Sequence, residues 1–513
     1  MSPFSKRFLQ PVALAAGATL VLGLTPAAAA NAVPAGPALA KELVKKVDAN
    51  GVNRHLIALQ RIADTNGGTR AASTEGHKKS AEYIATKLEA AGYQVTRQEF
   101  PFTYSETLAE KLTAGGADVP VIAMAYTTST PVGGITAPLA VIPVDNTSGC
   151  EATDYTADVA GKIALIKRGG CSFAQKQATA AAAGAIGAVI YNNTDGPVNG
   201  TLGDPANAKI PTGGVTAAAG AQLAALAGQP VTLELRTLQE ARTSYNVIAE
   251  TKTGRKDNVV MLGAHLDSVP AGPGINDNGT GSAALLETAL QLGSSPKANN
   301  AVRFGFWSAE EFGLIGSTHY VDSLSFEQQL DIALYLNFDM IGSPNAGYFA
   351  YDGDNSDGVG AGAGPYGSAQ IEKTFVDFMR AARGVSVEGT DFTGRSDYGE
   401  FIAVGIPAGG LDTGAEVVKT PAQAAKWGGT AGVAFDPCYH QACDNLGNID
   451  RVALDRNSDG VAWALGVYAT STESVNGVQP GQAKSAKQKA AERGAQRNLS
   501  AHAVAGDPHA LTA

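Results

Sequence analysis

The chain has 513 residues, 44% of them apolar, and a formal net charge of −10. That length exceeds what one hydrophobic core usually serves, so two folded units with tails are expected. The acidic balance argues against nucleic acid as a partner, since phosphate binding needs a basic face.

Residues 1–32 read as an export signal: Lys6 and Arg7 precede a largely apolar run from Leu9 to Leu24, and small residues up to Ala32 offer a cleavage site. The run is interrupted by Gln10, Pro11 and several glycines, short of the about 20 apolar residues that a spanning helix needs. No later stretch is long enough to cross a bilayer. The mature protein is therefore expected to be soluble, secreted and extracellular, with no membrane partner; a monomer is expected, although nothing in the sequence fixes the oligomeric state. All four cysteines lie beyond the signal, an even number that suits disulfides in an oxidising compartment. Three pairings are formally possible, and Cys150 with Cys171 and Cys438 with Cys443 is the simplest because each pair stays within one local segment.

From residue 33 to 104 the pattern alternates, with amphipathic helices expected at Asn53 to Asp64 and Glu75 to Ala91 and a strand at Tyr93 to Phe100. Residues 105–238 have another texture: short apolar strands at Leu139 to Val144, Lys162 to Lys167 and Ala188 to Tyr191, and an Ala-rich helix at Phe173 to Ala183, punctuated by Gly and Pro. Strand and helix alternate again from 239 to 475, with apolar strands at Asn258 to Ala264, Ala301 to Trp307 and Ala333 to Phe338. This predicts an α/β unit with a central, mostly parallel sheet flanked by helices, into which a smaller β-rich unit is inserted. Residues 476–513 hold few large apolar side chains and are expected to form a flexible tail.

Acidic and imidazole groups cluster where a parallel sheet delivers function, just past the carboxyl ends of its strands. His265 and Asp267 follow VVMLGA, Glu310 and Glu311 follow VRFGFW, and Asp339 ends ALYLNF. Asp277 lies in a Gly- and Asn-rich loop before an apolar helix, and His440 lies between Cys438 and Cys443. Singly, an Asp after a strand is more often a helix cap or turn residue, and Glu310 with Glu311 could be a solvated helix start. Together His265, Asp277, Glu311, Asp339 and His440 offer nitrogen and carboxylate ligands suited to zinc. Five are more than one such ion needs, and they suit two ions about 3.5–4 Å apart.

The segments GAHLDSV, GINDNGTGSAALLE, SAEEFGLIGS, LNFDMIGSP, GRSDY and CYHQACD resemble those of the secreted bacterial leucyl aminopeptidases, in the di-zinc family that includes aminopeptidase Y. The resemblance implies a zinc-exopeptidase fold, with His265 and Asp339 on one zinc, Glu311 and His440 on the other, and Asp277 bridging both. It further implies Glu310 as general base, Asp267 as the carboxylate orienting the His265 ring, and Tyr439 as the group steadying the oxyanion. Glu310, Asp339 and the Arg395 carbonyl would accept the free amino terminus of a peptide or protein substrate, with apolar first residues preferred. GGCSFAQKQATAAAAGAIGAVIYNN, from Gly169 to Asn193, is similar to the protease-associated domain found in several members. Related enzymes also bind calcium near the end of the catalytic unit. Asp455 and Asp459 match that stretch, although helix caps would explain them equally well.

Three rival readings remain. The same scaffold hosts carboxypeptidases and cyclases of terminal glutamine, which an assay with free and N-acetylated peptides separates. A metal-free binding module is the second, but no ligand position is missing. A serine hydrolase is the third, and no GxSxG elbow is present.

Overall fold

The computed structural model describes residues 36–484 except Asp195 and Ala361. The expected export signal and the stretch from 485 onward lie outside these residues. Helices Ala38–Lys46, Ala49–Asp64 and Glu75–Ala90 come first. The Asp48 carboxylate accepts the Gly51 amide at 2.7 Å, and Thr74 caps the third helix through the His77 amide, so each satisfies a donor that the first turn leaves open. Val52, Leu56, Leu59 and Ala63 recur on one side of the second helix and are buried, the periodicity of a core-facing stripe.

The central sheet follows from runs of apolar residues that leave no room for a wet face. Arg255–His265 is buried from Asn258 onward, and Ile332–Phe338 is buried throughout, as expected of strands covered on both sides. Asn300–Trp307 and Ile332–Phe338 flank Arg255–His265 in parallel, and Ala408–Asp412 pairs in parallel with Ile332–Phe338. The short strands Phe349–Tyr351 and Glu388–Thr390 complete that edge. One face packs under helices Gly281–Leu292, Ser368–Arg383 and Arg451–Thr470 in the largest core. The other face carries Met261, Trp307 and Tyr335 against Tyr320 and Phe401.

The strand expected at Tyr93 to Phe100 runs on as Gln94–Ala114, and Pro230–Glu250 is a strand that the sequence does not predict. They form an antiparallel ribbon paired from Gln94↔Glu250 to Ala114↔Val231, with one irregularity between Thr107 and Ala109. The carboxyl half of Pro230–Glu250 joins the central sheet through Asn300–Trp307, and its amino half pairs with Ile135–Val141. There the inserted sheet begins: Ile135–Val141, Ile163–Lys167, Gly187–Tyr191 and Thr212–Val215 run parallel, and Ile122–Ala123 closes the edge antiparallel. Its two cores lie on opposite faces of that sheet. The strand expected at Leu139 to Val144 sits earlier, at Ile135–Val141.

Thr212–Val215 and Ala408–Asp412 are strands that the sequence reading passed over, because TGGV and AGGLD carry paired glycines. The glycines serve close approach: a β-carbon on Gly214 would meet the Val198 carbonyl, and one on Gly410 the Asn337 carbonyl. The disulfides are Cys150–Cys171 and Cys438–Cys443, with Cα atoms 5.9 and 5.3 Å apart. Of the expected tail, residues 476–484 run against the body, with Val478 buried and the Lys484 ammonium on the Leu330 carbonyl. Among the described residues no helix is long and apolar enough to cross a membrane.

Candidate active site

Register brings the site together. Trp307 pairs with His265, and Asn337 with Gly263, so three neighbouring strands end at one level. Their next residues supply Asp267, Glu310, Glu311 and Asp339. Asp277 reaches the same rim from the turn Ile275–Thr280, whose Asp277–Asn278 peptide is cis. The Asp444 carboxylate holds that turn, accepting the Asn276 and Asp277 amides at 2.8 and 3.0 Å. The Asn278 side chain ties it to the next loop, donating to the Phe338 carbonyl at 2.9 Å and accepting the Met340 amide at 3.2 Å.

The five expected ligands converge. His265 Nε2 lies 3.2 Å from Asp277 Oδ1 and 3.3 Å from Asp339 Oδ1. His440 Nε2 lies 3.0 Å from Glu311 Oε2 and 3.3 Å from Asp277 Oδ2. Asp277 thus presents one oxygen to each histidine. Glu310 Oε2 lies 3.9 Å from His265 Nε2. His265 is buried, whereas the His440 side chain is 42% exposed, on the loop closed by Cys438 and Cys443.

Charge shows what the pocket needs. Burial drives Glu310 well above the usual carboxylate range; His265 opposes this, and Asp397, Asp339 and Glu311 add to it. Burial likewise pushes Asp267 and Asp397 up to about 7. His265 is raised well above its ordinary value although burial opposes its charge, because Asp339 and Glu310 outweigh that cost. Among the described residues Glu311 Oε1 is buried with no hydrogen-bond donor. Buried carboxylate oxygens without donors are costly unless a cation meets them. Oxygens crowded around two imidazoles form the donor set that suits zinc.

Asp267 differs from expectation in detail. His265 Nδ1 is 3.1 Å from the Asp267 main-chain carbonyl and 3.8 Å from its carboxylate. The carboxylate instead accepts the Glu310 amide at 3.3 Å, so it touches the Glu310 loop as well as the ring. The Arg395 guanidinium donates to Tyr439 Oη at 3.3 Å and pairs with Glu416 at 3.0 Å. The Tyr439 ring stacks on His440, with centroids 3.8 Å apart.

Asp455 and Asp459 stand apart from this cluster. Asp455 accepts the Ala49 amide at 3.0 Å, and Asp459 pairs with the Arg383 guanidinium.

Sequence reasoning passed over Ser396, whose hydroxyl donates to Asp339 Oδ2 at 2.6 Å and accepts from Asn337 at 2.8 Å. It also passed over Asn278, Asp397 and Asp444. All four stand inside the quoted segments, where a short polar residue beside a ligand was the available signal.

A parallel sheet whose rim gathers His265 and a ring of carboxylates, met by His440 from the disulfide loop, has the donor set of a metal-dependent hydrolase. A family model, peptidase family M28, matches residues 246–465, and the PA domain model matches 135–223. The chain is 49% identical over 450 residues to "Probable lipoprotein aminopeptidase LpqL" of Mycobacterium tuberculosis, covering 87% of this chain and 90% of that one. It is 44% identical over 481 residues to an aminopeptidase of Pseudomonas aeruginosa, covering 90% and 88%. It is 46% identical over 435 residues to leucine aminopeptidase 2 of Trichophyton rubrum, covering 84% and 86%. Among solved structures it resembles the aminopeptidase of Aneurinibacillus sp. strain AM-1, at 30% identity and a TM-score of 0.65 over 83% of this chain and 95% of that one. It also resembles a zinc aminopeptidase of Bacillus subtilis, at 30% identity and a TM-score of 0.59 over 82% and 94%. The chain belongs to peptidase family M28, as a zinc-dependent aminopeptidase with an inserted PA domain.

Proposed function

We propose that the protein is a secreted di-zinc aminopeptidase that removes apolar, leucine-like residues from the amino termini of peptides and proteins. The observation that carries this is Asp277, which offers Oδ1 to the His265 side and Oδ2 to the His440 side of one pocket. His265 and Asp339 would hold one zinc, Glu311 and His440 the other, and Asp277 both. Bound zinc supplies an acidified water and a polarised scissile carbonyl.

The chain's own groups do the rest. Glu310, at the pocket wall with its side chain 10% exposed, takes a proton from the attacking water and returns it to the departing amine, acting as base and then acid. Burial pushes the Tyr439 hydroxyl up, so at neutral pH it is a donor, and it stabilises charge on the former carbonyl oxygen. Glu310, Asp339 and the Arg395 carbonyl receive the substrate ammonium, which explains the demand for a free terminus. The preference for leucine rests on the fungal relatives' name. Export is supported by the two disulfides and by the export-signal pattern of residues 1–32. The proposed units are peptidase 33–104 and 239–475, insertion 105–238 and tail 476–513; Ser105 and Gln239 are cross-strand partners.

The deciding experiment combines metal analysis with a substrate panel. Two zinc ions per chain, activity abolished by chelation and restored by zinc, and cleavage of free but not N-acetylated leucyl peptides are expected. One zinc per chain, or equal cleavage of blocked peptides, would overturn the reading.

A further inference from the structure

Arg70 lies in the turn between helices Ala49–Asp64 and Glu75–Ala90, outside the residues matched by the peptidase model. Its side chain is wholly buried, at 0% exposure, which for a guanidinium demands full compensation. The compensation is specific. Nε donates to the Pro273 carbonyl at 2.7 Å, and the two terminal nitrogens donate to the carbonyls of Leu266 and Gly274. Leu266 sits between His265 and Asp267, while Pro273 and Gly274 lead into Asp277. Ser268 extends the seam: its hydroxyl accepts the Arg70 amide at 3.0 Å and donates to the Gly272 carbonyl at 2.9 Å.

The fork therefore fastens together two loops that the Ser268 hydroxyl also joins at Gly272. Its charge faces Asp267, Asp444, Asp277 and Glu311. Burial pushes the guanidinium down to about 10, and those carboxylates support it, so it is protonated at neutral pH. A β-carbon on Gly274 would meet the Asp277 carbonyl and crowd the Arg70 guanidinium at 3.2 Å. The loop is thus folded tightly over the fork.

We propose that Arg70 is a positioning residue of the metal site, locking the Leu266–Ser268 and Gly272–Gly274 segments at the spacing that lets His265 and Asp277 share a cation. The proposal rests on the ligand reading above. A planar fork with several fixed donors does this where a point charge cannot, so Arg70→Lys and Arg70→Met bracket the effect: one keeps the charge, the other keeps only the bulk.

The test uses the full-length protein, stripped of metal and titrated with zinc, and separately loaded with cobalt(II) for its visible spectrum. Both variants are expected to keep the wild-type circular dichroism, to bind zinc about tenfold or more weakly, and to shift the cobalt bands. Reconstituted at saturating zinc, they are expected to lose kcat while KM stays near the wild-type value. Wild-type zinc affinity with an unchanged cobalt spectrum in both variants would overturn the proposal. So would failure of both to fold, which would assign Arg70 to folding alone. Asp277→Ala run in parallel separates the two readings: if it too retains zinc, the ligand assignment fails; if it loses zinc while the Arg70 variants keep it, only the role of Arg70 fails.

Discussion

Tyr439 receives a hydrogen bond from Arg395 at 3.3 Å, which leaves its own proton free for another acceptor. Tyr439→Phe should therefore keep zinc and lose about 10²–10³-fold in kcat, in the range seen for a lost oxyanion donor; unchanged kcat in a leucine anilide assay would remove the hydroxyl from the reaction. Glu310→Gln keeps the shape of the wall but not the proton acceptor. It should retain zinc and lose about 10²–10⁴-fold in kcat, with metal analysis beside the kinetics as the check. Ser396→Ala deletes the 2.6 Å bond to Asp339 and should weaken zinc by roughly 10–100-fold, as read by competition with a chelator. Residues at this scale were legible in proportion to their chemistry. His265, Glu311 and Asp339 follow apolar runs and could be read from the chain, whereas Arg70 acts on carbonyls some two hundred positions away. Nothing local marks it.

Elements differ in the same way. Strands buried on both faces, such as Ile332–Phe338, announce themselves as unbroken apolar runs. Pro230–Glu250 does not: its middle, from Arg236 to Thr243, has no buried residue, so the periodicity that a half-buried strand would show is missing. The helix pair Ala49–Asp64 and Gly281–Leu292 is pinned by His55 Nε2 and Glu287 Oε2 at 3.0 Å, and the second helix begins just past the Asp277 turn. The His55 hydrogen bond, first among several causes, holds Glu287 below its ordinary 4.5. A depressed carboxylate contributes stability that is present above the unfolded value and is lost as pH falls through the folded one. Glu287→Gln should thus melt lower than wild type at pH 6, with the gap closing below about pH 4. A gap that stays constant from pH 6 to 3 would count against the pairing. In the loop that carries Tyr439 and His440, a disulfide spanning only five positions is worth about 2 kcal/mol by loop entropy. Replacing both Cys438 and Cys443 by Ser should hurt turnover far more than it lowers the melting temperature.

At the level of the whole molecule, among the described residues the main core has no buried member between Tyr93 and Val247, and only Val95 and Tyr245 from that stretch pack on its margin. The inserted unit fills its own two cores. Cutting out 106–238 and joining Ser105 to Gln239, which face each other across the ribbon, through an Asn-Gly turn should give a folded chain. That chain is expected to cleave a leucine anilide, and loss of zinc on excision would show the insertion to be part of the site. The two-unit organisation was legible because composition changes along the chain. The long ribbon that joins the units was not, because a polar strand pair looks like loop.

That ribbon has a practical corollary. Ordinary multidomain proteins are strung on exposed tethers that a protease can sever to release each part. Here the two units share one pair of long hydrogen-bonded strands, and the rings of Phe102 and Tyr104 in the ribbon pack against Phe312, the neighbour of Glu311. Nicking at surface turns would leave both halves clasped, and any swing of the outer unit would be felt as a tug on the acidic wall of the pocket.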